Sequence, residues 1–151
     1  MVRIEQWGIT GLKNIMLIDI ENLIEIAQPT ENSFKNLNYV NFSGSGIQSI
    51  PDKMFLNCTK ITSFEGSFAY CENLTTIGEG VFDGCDNVTS FAYTFEECTN
   101  LRGNVPELWK RVPNGENNGY IGIPDGESCY HHCNNVSNIN DIPEYWAPPD
   151  I

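Results

Sequence analysis

The sequence predicts a solenoid of stacked coils, with short parallel strands on one face and turns or short helical corners elsewhere. Three observations predict it. First, an aromatic-x-x-Cys-x-x-aliphatic pattern recurs as FLNCTKI, FAYCENL, FDGCDNV, FEECTNL and YHHCNNV. Second, Cys58, Cys71, Cys85 and Cys98 follow one another at 13, 14 and 13 residues, so alternate copies lie 27 residues apart. That distance falls within the 20 to 50 residues typical of stacked repeats. Third, each coil closes on a chain-turning step: Ile50-Pro51, Ile77-Gly78, Val105-Pro106 and Ile142-Pro143. Proline fixes φ and has no N–H to donate, so an extended segment stops there.

The elements follow in chain order within one domain of 151 residues, a length that can bury a core without staples. Trp7 is placed to cover the first coil, since the end of a solenoid needs a cap. LKNIMLIDIENLIEI and LNYVNFSGSGIQSIP open alike, and their Leu12 and Leu37 stand where later coils carry Cys58 and Cys85. The GSG at 44–46 precedes IQSIP rather than a helix and reads as a tight turn, not a phosphate loop. Phe55 with Cys58, Phe68 with Cys71, Phe82 with Cys85, Phe95 with Cys98 and Tyr130 with Cys133 form the repeating core. Cysteine suits such corners because it is small and among the most buried residue types. The apolar segments at 61–64 and 88–91 are too short to bury a face alone and need copies above and below. Asn73, Asn87, Asn100 and Asn135 recur close to one phase and can bond the backbone of a neighbouring coil. Cys98 and Cys133 are 35 residues apart. The excess falls in RVPNGENNGYIGIPDGESC, which reads as an inserted surface loop around 111–128. Trp146, followed by two prolines, is placed to cap the last coil.

With these motifs in hand, FAYCENLTTI and VTSFAYTFEECTNL resemble the BspA-like leucine-rich repeats of bacterial surface proteins, over residues 9 to 146. The resemblance implies an irregular leucine-rich-repeat solenoid that is not an enzyme. It implies an adhesion module recognising a protein or glycan on a host or neighbouring cell surface. It also implies an extracellular or bacterial-surface location as part of a larger chain. Similar repeats occur in proteins of gut bacteria and phages, so a structural or receptor-binding component of a phage virion is the alternative. Two departures stand out: the first two coils lack the cysteine, and the 111–128 segment carries the insertion.

Charge narrows the partners further. Eight basic against twenty acidic residues give a net charge of −12, which repels phosphate backbones and anionic membrane surfaces. The most apolar run, NIMLIDIENLIEIA, is interrupted by Asp19, Glu21 and Glu25, so no membrane insertion is expected. MVRIEQWG has no apolar stretch of the kind a secretory signal needs. Either the protein is not exported by that route, or the chain is a piece of something larger.

The remaining candidate chemistry centres on CYHHC, Cys129 to Cys133. The repeat accounts for Cys133, which leaves Cys129, His131 and His132 without a second ligand cluster of the kind zinc sites draw on. The expectation is buried thiols, exposed imidazoles, and no metal or cofactor, with two alternatives: a Cys129–Cys133 disulfide in an oxidising compartment, and an enzyme or metal-dependent domain built on CYHHC. A ladder of buried cysteines is the opposite of an activated nucleophile. The acidic segments DGCD, IPDGE and NDIPE do not fit a twelve-residue calcium loop and read as solvated surface. The recurring Asn-x-Ser/Thr triplets follow from the repeat and are not read as glycan sites. For partner contact, the positions between ladder residues, Asn41, Thr62 and Thr89, face outward. Asn114, Asn117 and Asn118 offer a polar loop on a rigid scaffold.

Overall fold

The computed structural model describes residues 1–8, 11–31, 33–111 and 124–150. Six short strands occur in chain order: β1 (Val2–Ile4), β2 (Asn14–Met16), β3 (Leu23–Ile26), β4 (Tyr39–Asn41), β5 (Ser49–Ile50) and β6 (Thr76–Ile77). All named pairings are parallel: β1 with β3, β2 with β4, and β5 with β6. Parallel strands need a long crossover, and here the rest of each coil supplies it.

The strands form two ladders instead of lying on one face. In one, β1 pairs with β3, the Gln48 N–H reaches the Ile24 carbonyl, β5 pairs with β6, and the Arg102 N–H reaches the Thr75 carbonyl. In the other, β2 pairs with β4, and further along the chain parallel bridges join Ser63 to Ser90 and Ser90 to Asp125. The expectation of strands on one face is corrected for a simple reason. A coil holds two turn motifs, so it also holds two extended stretches, and each pairs with its own copy in the next coil. Frequent turns also keep the strands at two to four residues.

The turns explain the motif. In all five aromatic-x-x-Cys copies the cysteine N–H donates to the carbonyl of the aromatic three residues earlier, at 3.0–3.3 Å. The residue just before the cysteine has positive φ: Asn57, Tyr70, Gly84, Glu97 and His132. A left-handed third position is what a type II turn requires. Each thiol then reaches across to the preceding coil. The Sγ of Cys71, Cys85, Cys98 and Cys133 donates to the carbonyl of Phe42, Phe55, Phe68 and Phe95 at 3.0–3.2 Å, and that of Cys58 to Phe34 at 3.8 Å. A small side chain with a weak donor fits this contact.

A second row of hooks is built from asparagine. The side-chain amides of Asn87, Asn100 and Asn135 donate to the carbonyls of Thr59, Glu72 and Thr99 at 2.7–3.2 Å. In each case the acceptor is the residue that follows the cysteine of an earlier coil.

Stacked rings fill the interior. Phe42, Phe68, Phe95 and Tyr130 form one column, with centroids 5.5–5.7 Å apart and planes within 11°. Phe34, Phe55 and Phe82 form another at 6.1–6.2 Å, and Phe64 stacks on Phe91 at 5.7 Å. Leu37 is fully buried with Cys58, Cys71, Cys85 and Cys98, whereas Leu12 is only partly buried against this core. The Phe82 carbonyl, at the end of the second column, accepts from the Arg111 guanidinium at 3.0 Å, and that group also bonds the Cys85 carbonyl. Arginine thus does for the last coil of this phase what a cysteine does for the others.

Tryptophans close both ends. Trp7 donates its indole N–H to the Ala27 carbonyl at 2.6 Å and meets Phe34 edge-on at 5.1 Å. At the other end, Gly126 lies opposite Phe91, and the Trp146 ring fills the space that a Cβ there would enter. Removing either cap by Trp7→Ala or Trp146→Ala should cost about 3 kcal/mol and lower the melting temperature by several degrees. Thermal denaturation of both variants checks this, and unchanged melting rejects the capping role.

Candidate functional site

The turn geometry that builds the coils also decides which side chains face solvent. Tyr70 has φ +60° and Tyr93 φ +57°, whereas one coil earlier the equivalent positions are Gly44 (φ +69°) and Gly66 (φ +65°). Glycine adopts this region freely; other residues carry a cost of roughly 1–2 kcal/mol. The chain therefore spends stability to hold two tyrosines outward. They border an open groove of about 530 Å³ with Tyr39, Asn41, Ser43 and Glu96 also in its wall. Tyr39 and Tyr70 are among the most exposed large side chains of the described residues.

The groove is partly preorganised. The Asn41 amide donates to the Tyr39 hydroxyl at 3.2 Å, and its oxygen accepts the Ser43 N–H at 2.8 Å. The Glu127 carboxylate beside Tyr93 pushes that phenol's pKa up, and Asp125, bonded to the Tyr145 hydroxyl at 3.1 Å, does the same there.

Of the residues singled out in the sequence, Asn41 lies in this groove. Thr62 and Thr89 are exposed and joined to one another, because the Thr89 N–H and hydroxyl both reach the Thr62 carbonyl at 2.8 and 3.3 Å. Asn114, Asn117 and Asn118 lie outside the described residues. Sequence reasoning missed the tyrosines. The available signal, for Tyr70 alone, was an aromatic at the position before cysteine, where Gly and Asn occur in the sister copies FDGC and FLNC.

A different cluster forms around the histidines. FEEC and YHHC are copies of one turn in adjacent coils, so Glu96 and Glu97 come to lie beside His131 and His132. His132 Nδ1 contacts the Glu97 carboxylate and its Nε2 contacts Asp150; His131 Nδ1 lies 3.8 Å from Glu96 and its Nε2 3.5 Å from Asp150. The two imidazoles stack at 3.8 Å. This corrects two expectations: the imidazoles are half-buried rather than exposed, and a second cluster of ligand-type groups does exist. It went unseen because the motif was read along the chain instead of across the stack.

Cys129 is also explained by the repeat. It occupies the phase of Ser67 and Thr94, whose hydroxyls bond the Val40 and Phe64 carbonyls at 2.7 and 2.9 Å. All six cysteines are free and buried, so the Cys129–Cys133 disulfide is not formed. Burial pushes the Cys71 thiol up to about 11 and Cys133 to about 12, and holds Cys98 and Cys129 well above the ordinary range. Thiols held there stay protonated at neutral pH.

The ion pairs at His132 predict a pH response. Glu97 first, and then Asp150, raise the His132 pKa above 6.5, while His132 lowers that of Asp150 below 3.8. The histidine contribution is complete below pH 6.5 and is lost as pH rises through the raised folded value. The aspartate contribution is present above pH 3.8 and is lost as pH falls through the lowered one. In metal-free protein the contacts of His132 with Glu97 and Asp150 should therefore stabilise most between about pH 4 and 6.5. Comparing melts of the wild type and His132→Gln at pH 6 and pH 9 tests this: the gap should narrow at the higher pH, and a gap that widens rejects it.

Comparison with known families now bears directly on this arrangement. The profile of the BspA type leucine rich repeat region matches residues 2–105 in six copies. The chain belongs to the BspA-type leucine-rich-repeat family. The family implies a repeat, solenoid-like fold, and the structure shows short parallel strands in small sheets. In this BspA-type chain the tyrosine groove lies within the matched region, whereas His131, His132 and Asp150 lie beyond it. No curated protein and no solved structure matches the chain. Among the described residues no helix is long and apolar enough to cross a membrane.

Proposed function

We propose that this BspA-type repeat chain is a non-enzymatic binding module of a bacterial surface or secreted protein. It docks a basic protein partner on the groove lined by Tyr39, Tyr70 and Tyr93. The observation that carries this reading is the pair of tyrosines held in left-handed turn positions where glycine stands one coil earlier. Asn57, Glu97 and His132 share this φ as part of the turn, and what sets Tyr70 and Tyr93 apart is that both phenols open onto one groove.

The chemistry of the groove fits protein recognition. Tyrosine supplies rigid amphipathic contact area at low entropic cost, and serine and asparagine supply adaptable hydrogen bonds. Glu65 and Glu96 border the groove, and the chain carries a net charge of −12. Such a surface attracts lysine and arginine, and guanidinium groups stack well on tyrosine faces. Thr62 and Thr89 add polar groups further along the same ladder.

The test is a protein array probed with the wild type and with a Tyr39→Ser, Tyr70→Gly, Tyr93→Gly variant. The wild type should bind basic proteins in a salt-sensitive way. The variant should lose that binding while melting at the same or a higher temperature, because two left-handed tyrosines have become glycine. A variant that binds as the wild type does places the contact elsewhere. Binding confined to a parallel glycan array replaces the protein partner with a carbohydrate.

A further inference from the structure

Where the FEEC and YHHC turns meet, we propose a site for a divalent transition-metal ion of the zinc type, ligated by Glu97, His131 and His132, with Asp150 behind the imidazoles as an outer partner. One ligand atom from each of Glu97, His131 and His132 lies within 4.8 Å of the others. Asp150 approaches the Nε2 atoms of both histidines. A tetrahedral ion about 2.1 Å from each donor needs donors roughly 3.4 Å apart. The donors must draw closer together to reach this spacing, and each of these side chains is at least partly solvent-accessible.

The donor set selects the ion. Two imidazoles with carboxylates suit zinc, copper or nickel, whereas calcium and magnesium favour all-oxygen shells. Asp150, on the Nε2 side of both rings, is placed to orient them as an outer partner, and Glu96, 3.8 Å from His131 Nδ1, borders the side of the ion. Charge points the same way: three carboxylates converge on two imidazoles, an excess of negative charge that a dication balances.

The buried thiols are not part of the site. Cys133 donates to the Phe95 carbonyl at 3.1 Å, and Cys129 lies fully buried in the core. The site thus takes the histidines of CYHHC and leaves both of its cysteines inside. Because Asp150 follows Trp146 closely, its contacts with the two imidazoles tie the C-terminal segment to the last coil. Trp146 is already held there by the bond from the Tyr130 N–H to its carbonyl at 2.8 Å.

The tag-free 151-residue chain is stripped with chelator and titrated with zinc chloride by isothermal calorimetry, then with cobalt chloride by absorption. The expected result is one zinc per chain, a rise in melting temperature on loading, and visible cobalt d–d bands without a thiolate charge-transfer band. His132→Gln and Glu97→Gln should each weaken zinc binding by about a hundredfold or more, given that outer-shell changes alone cost 10–100-fold. Both variants melt cooperatively without metal if they fold, which separates lost affinity from lost structure. No saturable binding near one equivalent, or binding that survives the His131→Gln, His132→Gln double variant, overturns the proposal. A thiolate-to-cobalt band overturns the ligand set by drawing in Cys129 or Cys133.

Discussion

Replacing Phe68 with alanine is expected to cost about 4 kcal/mol and to lower the urea midpoint accordingly. Phe68 is fully buried in the middle of the longest ring column, 5.5 Å from Phe42 on one side and 5.6 Å from Phe95 on the other. It also meets Phe55 of the neighbouring column at 6.1 Å. Its loss opens a cavity that none of these rings can fill without leaving its own coil, so little relaxation is available. The effect is large on the scale of 5–15 kcal/mol for a whole domain. It is also placed where it matters most, because coils contact only their neighbours and this one joins the two ends of the stack. Equilibrium urea unfolding of Phe68→Ala, with Phe68→Leu as a milder companion, measures it. A loss below about 1 kcal/mol means that the column does not carry the stability assigned to it.

Gly46→Ala should destabilise by about 3 kcal/mol for a different reason, the closeness of neighbouring coils. A Cβ at Gly46 would lie 2.0 Å from the Glu21 carbonyl oxygen and 3.1 Å from that of Leu23. Both obstacles are backbone, so a side-chain rotation cannot relieve the clash. The coils must move apart, which strains the bond from the Gly46 N–H to the Ile20 carbonyl. Gly66 provides the control. It has φ +65°, and a Cβ there would meet nothing within 4 Å. Gly66→Ala should therefore cost only the left-handed preference, about 1 kcal/mol. Chemical denaturation of the two variants side by side separates the causes, and equal losses reject close coil approach as the reason for glycine at 46.

The repeat was legible because spacing carries it. Cysteine at fixed intervals between an aromatic and an aliphatic marks a turn, and it recurs only if each coil rests on one like it. The inter-coil role of Asn87, Asn100 and Asn135 could be read in the same way. Less legible was which of two extended stretches pairs with which, because strands of two to four residues leave almost no alternation to follow. The tyrosine groove was hidden for another reason. Tyr39, Tyr70 and Tyr93 are dispersed along the chain, and only the left-handed turns aim the latter two outward. The histidine cluster was half-visible: CYHHC drew the eye, but its carboxylate partners sit 35 residues earlier for Glu97 and 18 later for Asp150.

By itself the sequence determined that the chain repeats, which residues of each copy go inside, and that it carries a net charge of −12. Hydrophobic periodicity and charge are properties of the chain as written, so reading along it recovers them. Only the tertiary structure decided what stands beside what across the stack: thiol on carbonyl, tyrosine in the place of glycine, and Glu96 and Glu97 against His131 and His132. Those neighbours are set by the coil-to-coil register, which the backbone hydrogen bonds and stacked rings fix together and which no single copy of the repeat contains.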